Sequence, residues 1–242
     1  MAADPPVTVI DPPLRFRAVV TGGDCGGPTL SQTRFVPETP ERQSGIGRLR
    51  IDDGQPDADA DDARAPDRRL SPGTPIHRVT RNTNGELIHH LSPPWPAPGL
   101  LPGQPVIAVV DGIRRNRLNR LHSALHLLYL AYLATHGPAR RIAGRVTASG
   151  ARIELLQPAG TRDRPVDLAA ITSWIDTMIA EDLVIRRLQG PDPHRLHWYL
   201  DGVGSVACAG LHPRSTGQIG ALDVSLLQND PDRIKLAATL VE

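Results

Sequence analysis

Four residues of this chain could hold a metal ion. His122 and His126 lie in Arg120-Leu121-His122-Ser123-Ala124-Leu125-His126. If that stretch is helical, the i, i+4 spacing puts both imidazoles on one face, close enough to share one ion. The second pair is Cys208 and His212, in Cys208-Ala209-Gly210-Leu211-His212. One thiolate and three imidazoles form a borderline-soft donor set that suits Zn2+. Four protein donors on tetrahedral zinc make a closed, structural shell, whereas hydrolytic zinc keeps a position for water, and spacing alone does not choose between the two. The alternative for the helical pair is one buried and one surface histidine. A zincin is disfavoured, because Ser123 stands where that class needs a glutamate, and no glutamate occurs between Glu86 and Glu154.

Other motifs carry weaker signals. The cluster Gly22-Gly23-Asp24-Cys25-Gly26-Gly27 lacks the Lys-Ser/Thr of a P-loop and reads as a hairpin connection. The acidic segment 52–72 lacks the glycine and terminal glutamate of an EF-hand and reads as a mobile loop. The arginines 114, 115, 117 and 120, with 140, 141 and 145, could contact phosphates or could be a solvated helix face.

The elements that must position these residues follow from periodicity. Short strands are expected at 14–20, 32–36, 76–80, 87–91 and 105–110, with an Asn-Gly turn at Asn84-Gly85 joining the third and fourth. From Arg114 to Thr135 there is no Gly or Pro, and leucines recur at helical spacing until Gly137-Pro138 stops the run. Strands are expected at 145–146 and 151–156, a second helix over 167–182 capped by Asp167, then strands at 197–200, 203–208 and 220–227, with 233–241 helix or strand. The pattern is therefore that of an α+β chain: a small, mostly β N-terminal module (1–111), then a mixed α+β module (112–242).

Composition excludes some classes. In 242 residues, 40% are hydrophobic, which is enough for a core, and the net charge of +1 argues against a strongly basic coat protein. The longest apolar run, around 125–134, is too short to span a bilayer, so no membrane is expected. No cationic start precedes an apolar run at the N-terminus, and there are 2 cysteines, so a cytoplasmic protein with free or metal-bound thiols is expected.

Taken together, the motifs resemble a known family. Arg114-Arg115 followed by His122-Ser123-Ala124-Leu125-His126-Leu127-Leu128 resembles the Arg-Arg…His-Thr-Ala-x-His-Leu-Leu of alanyl-tRNA synthetase editing domains and their free-standing AlaX relatives. Cys208-Ala209-Gly210-Leu211-His212 and Ser215-Thr216-Gly217-Gln218-Ile219-Gly220 resemble their Cys-Gly-Gly-Thr-His and Thr-Gly-Glu-Ile-Gly. Thr33-Arg34-Phe35-Val36-Pro37-Glu38 resembles Thr-x-Phe-Tyr-Pro-Glu, and 76–91 resembles the hairpin before the zinc helix.

The resemblance implies a free-standing trans-editing hydrolase, an aminoacyl-tRNA deacylase, that cleaves the ester of seryl- or glycyl-tRNA(Ala) or of a threonine-analogue tRNA such as fluorothreonyl-tRNA. It implies a β-barrel-like N-terminal module and a zinc-bearing α/β two-layer C-terminal module, zinc on His122, His126, Cys208 and His212, and Thr33 beside the substrate pocket. Thr33 and Gln43 are candidate partners of the amino acid or ordinary strand and turn residues, and Arg114, Arg115, Arg117 and Arg120 are candidates for the tRNA acceptor end. Departures fall where the family touches its amino acid: Arg42 or Gln43 at a glutamine, Leu125 for a glutamine, Leu211 for a threonine. They imply altered specificity, or a catalytically inactive, zinc-stabilised homologue that binds tRNA or protein. A metal-dependent hydrolase of a small ester or amide is the third reading.

Overall fold

The computed structural model describes residues 14–54, 73–92, 95, 99–158, 165–189 and 196–241. Two compact units divide the chain within one helix, between Asn116 and Arg117.

In the first unit, six antiparallel strands form one sheet: β1 (Arg15–Asp24), β2 (Gly27–Leu30), β3 (Gly47–Ile51), β4 (Thr74–Arg81), β5 (Leu87–Leu91) and β6 (Pro105–Val110). Their spatial order is β2-β1-β6-β3-β4-β5. The two ends of that order approach each other, so the sheet is nearly closed and barrel-like. Gly27 makes the approach possible, since a Cβ there would lie 2.1 Å from the His89 carbonyl oxygen. Alternation fills the interior: Phe16, Ala18 and Val20 of β1 are buried, as are Leu49, Ile76, Val79, Leu91, Val106 and Ala108. The β4–β5 turn closes on Asn82, whose side-chain oxygen accepts from Asn84 N at 3.0 Å and Glu86 N at 2.9 Å.

Two expectations for this unit need correction. The glycine cluster does form a hairpin connection, between β1 and β2, but its turn is shorter than the cluster: β1 runs through Gly22 and Gly23, and only Cys25 and Gly26 turn, with Asp24 Oδ1 accepting from Gly26 N at 2.7 Å. Residues 32–36 are irregular and belong to no strand. Their apolar content serves to insert Phe35, 3% exposed, into the barrel as a plug. Of the acidic segment 52–72, only Asp52–Gly54 lies within the described residues.

The second unit is built on the helix α1 (Gly112–His136), which enters it at Arg117. Leu118, Leu121, Ala124, Leu125, Leu127, Leu128 and Ala131 are all buried, so the helix is apolar on most sides and has to be enclosed. An antiparallel sheet, β12 (Leu222–Asn229), β13 (Arg233–Leu240), β8 (Gly150–Leu156) and β7 (Arg140–Thr147) in that order, shares its core. A three-stranded sheet has the order β11 (Gly204–Ala207), β10 (Leu196–Leu200), β9 (Ile185–Gln189). The helix α2 (Leu168–Ala180) begins at Asp167, whose carboxylate accepts from Ala170 N at 2.9 Å. The segment left open between helix and strand is a strand, β13, held between β8 and β12. The fold is α+β, as the patterning predicts, with a barrel-like module, as the resemblance implies.

Candidate metal centre

His122 and His126 lie one turn apart on α1, with ring centroids 4.9 Å apart. Cys208 and His212 come from the loop after β11. Its backbone is tied down by Cys208 N donating to Leu196 O at 2.8 Å and by Arg187 Nη2 donating to Ala209 O at 3.1 Å. The loop lies flat on the helix because residue 210 is glycine: a Cβ there would sit 2.2 Å from His122 Cε1 and 2.6 Å from its Nδ1.

The resulting cluster is tight. The ligand-type atoms of His122, His126, Cys208 and His212 all lie within 4.8 Å of one another. Cys208 Sγ is 3.5 Å from His122 Nε2 and 3.2 Å from His212 Nε2. A tetrahedral ion with bonds of about 2.0–2.3 Å separates its donors by about 3.3–3.6 Å, so these spacings suit one shared ion.

Three further observations fit a metal. His126 Nε2 is buried with no hydrogen-bond partner among the described residues, an arrangement that is costly unless something accepts its lone pair. Burial, with a smaller contribution from the Arg141 charge, pushes the His126 pKa down to about 3, so the ring is neutral and a competent donor at neutral pH. The third is orientation: buried Ser123 lies with Oγ 3.0 Å from His212 Nδ1. If Nε2 faces the cluster, Nδ1–H donates to that hydroxyl, the outer-sphere support a ligating imidazole uses. Gly210 N also donates to Cys208 Sγ at 3.3 Å. The fully buried Trp198 closes one side, its ring 5.2 Å from that of His126. The four residues could therefore hold a metal ion.

The remaining candidates are placed as follows. Thr33 is half-buried in the first unit, with Oγ1 3.0 Å from His89 Nε2 and accepting from Phe35 N at 3.2 Å. Gln43, just after a tight turn bridged at Thr39 and Arg42, accepts through Oε1 from Arg114 Nη2 at 3.0 Å. Arg115 is buried and donates to the Arg34 carbonyl. In the second unit Arg117 Nε donates to Ala148 O, and Arg120 Nε to Ile219 O at 2.6 Å. Each of the four arginines thus spends at least one N–H on the protein, and any phosphate contact has to use the others.

Two curated proteins are similar to this chain over most of its length. The alanine–tRNA ligase of Methanopyrus kandleri is 26% identical over 260 residues, covering 93% of this chain and 25% of the ligase. The alanine–tRNA ligase of Frankia casuarinae is 28% identical over 213 residues, covering 81% of this chain and 22% of the ligase. The chain spans about a quarter of the length of these relatives. No protein-family model matches it.

Against this similarity the motif around 215–220 acquires a physical role. Thr216 is fully buried; its hydroxyl donates to Met178 O at 2.6 Å and accepts from Leu183 N at 2.8 Å, while Gly217 N donates to Asp182 Oδ1 at 2.9 Å. With the Arg120–Ile219 bond, these contacts fasten the end of α2 and the helix α1 to one short 3-10 turn, Gly217–Ile219. Leu125 is 1% exposed and packs in the core, where a Cβ on Gly144 would lie 3.3 Å from it. Sequence reasoning missed Ser123 as a support for His212, Trp198 as a wall, and His89 as the partner of Thr33. A polar residue at an inward position of the alternating strand 87–91 is the signal that could have found His89.

Proposed function

We propose that this chain is an aminoacyl-tRNA deacylase of the alanyl-tRNA editing type, which hydrolyses the ester of a wrongly charged tRNA and binds one zinc ion. The observation that carries the reading is the His122, His126, Cys208, His212 cluster, within a chain similar over most of its length to part of two alanine–tRNA ligases.

His122, His126, Cys208 and His212 would hold the zinc, which would tie the Cys208–His212 loop to α1 and supply positive charge beside that loop. The chain's own groups do the rest. An aminoacyl ester is already activated, so the protein's task is to orient it and to aim dipoles at the oxyanion that develops when water adds to the carbonyl. Thr33 and Gln43 are the polar partners assigned to the aminoacyl group. Remaining N–H groups of Arg114, Arg115, Arg117 and Arg120 are assigned to phosphates of the acceptor end. The products are the free amino acid and a tRNA with its terminal ribose hydroxyl restored.

Leu211 and Arg42, at positions where the resembled family is polar or carries glutamine, favour an altered specificity, away from serine and glycine and towards an amino acid such as a threonine analogue. The same two residues support a second reading, a zinc-stabilised homologue that binds tRNA without turnover. Deacylation of charged tRNAs by the purified protein separates them: release of an amino acid supports the first, and a gel shift without release supports the second.

A further inference from the structure

Among the described residues of the barrel, His89 is the least exposed polar side chain, at 0%, with its ring edge-on to Phe35 at 5.5 Å. Both its nitrogens are engaged. Nδ1 lies 3.1 Å from the Pro28 carbonyl oxygen, and Nε2 lies 3.0 Å from Thr33 Oγ1. The Pro28 carbonyl is there because β2 closes against β5, the approach that Gly27 permits.

The proton positions follow from donor chemistry. A carbonyl oxygen can only accept, so His89 Nδ1 carries the hydrogen. Burial holds the ring neutral, moving its pKa down to about 4, so Nε2 keeps a bare lone pair. The Thr33 hydroxyl must then donate to Nε2. One lone pair of Thr33 Oγ1 takes the Phe35 N–H at 3.2 Å. What remains on that oxygen is one acceptor site and no donor.

We propose that His89 is a positioning residue: fixed by the Pro28 carbonyl in its Nδ1–H tautomer, it draws the Thr33 hydroxyl proton inward, so that Thr33 Oγ1 faces the aminoacyl group as a hydrogen-bond acceptor only. The inference rests on the assignment of Thr33 to the substrate under the proposed function. The group recognised is an N–H or O–H donor, which is either the α-ammonium or a side-chain hydroxyl of the amino acid. A site built to accept from a donor discriminates strongly against an analogue lacking it, because the buried acceptor is left unpaired.

The test uses the full chain. His89→Asn retains a donor near the Nδ1 position and removes the acceptor for Thr33, whereas His89→Gln places an amide oxygen near the Nε2 position. The expected result is about a 10-fold lower kcat/KM for H89N, recovery to within about 3-fold for H89Q, and less than about 2-fold further loss when H89N is added to Thr33→Val. Equal losses for H89N and H89Q, or a full additional loss in the Thr33→Val background, overturn the inference. Seryl- against O-methylseryl- and alanyl-tRNA separates the two donors. Sensitivity to Thr33→Val that vanishes without the side-chain hydroxyl assigns the acceptor to it, and unchanged sensitivity assigns it to the α-ammonium. The 15N resonances of the His89 ring provide a readout independent of turnover. Protonated Nδ1 and bare Nε2 are expected, and an Nε2–H tautomer overturns the inference even in an active enzyme. Should the wild-type protein carry the expected tautomer yet release no amino acid, the proposed function fails, and the substrate half of this inference with it.

Discussion

Replacing Gly210 by alanine is the sharpest perturbation of the metal centre that leaves all four donors in place. The added Cβ would sit 2.2 Å from His122 Cε1, whereas carbon atoms in contact are normally about 3.5–4.0 Å apart, so loop or ring has to retreat by more than about 1 Å. Gly210 is not among the residues with positive φ, so alanine meets no backbone penalty and the effect is steric alone. Metal–ligand distances tolerate only about 0.2 Å, and the retreat separates His122 from Cys208. The expected loss is about 10- to 100-fold in zinc affinity, which is about 1.4–2.7 kcal/mol. Metal-binding free energy is also folding free energy, so the melting temperature should fall by several degrees in the zinc form and much less with a chelator present. Competition with a chromophoric chelator and thermal melts measure both, with Ala209→Ser, at an exposed neighbour, as the control. Zinc bound as tightly as in the wild type, with an unchanged melting temperature, would refute the packing argument.

Other outcomes follow from the same geometry. His126→Ala should lower zinc content and thermal stability together, and full zinc stoichiometry in that variant removes the four-ligand site. Ser123→Ala should weaken zinc binding by about 10-fold, and Ser123→Thr should retain it, as read by chelator competition. Thr216→Val removes two buried hydrogen bonds and should cost about 1–3 kcal/mol in urea unfolding, equally with and without chelator. For pH, His89 is neutral in the folded barrel, its pKa lowered to about 4 by burial, with adjacent His90 adding repulsion, while the unfolded chain titrates near the ordinary 6.5. The unfolded state therefore binds the extra proton between these values. Stability is full above about 6.5 and declines as pH falls towards 4, by up to about 3 kcal/mol. His89→Gln should flatten that decline in a urea titration series, and a slope identical to the wild type contradicts the assignment.

The readable part of this molecule was the part written in periodicity and in scarce residue types. The leucine spacing of 118–128 and the stop at Gly137-Pro138 fix α1, and Asp167 caps α2 as its type suggests. The candidate metal cluster was legible because a second pair, Cys208 and His212, adds the scarce thiol to a His122–His126 spacing that is common by itself, and the four side chains do converge. The strand expected at 32–36 misled because one buried aromatic, Phe35, makes an irregular segment look like a strand. β3, β9 and most of β7 were missed for a related reason: arginines alternate with apolar residues or sit beside them, as in Gly47-Arg48-Leu49-Arg50-Ile51, and weaken the signal. The His89–Thr33 bond joins positions 56 residues apart and rests on barrel closure, which no local pattern encodes.

The central claim is tested most directly by incubating the purified protein with seryl-, glycyl-, alanyl-, threonyl- and threonine-analogue-charged tRNAs, with and without chelator, and measuring the amino acid released. The account predicts selective release from at least one of these tRNAs by protein containing one zinc per chain, and little release from correctly charged alanyl-tRNA. No release from any of them, by folded protein with its zinc in place, would contradict it.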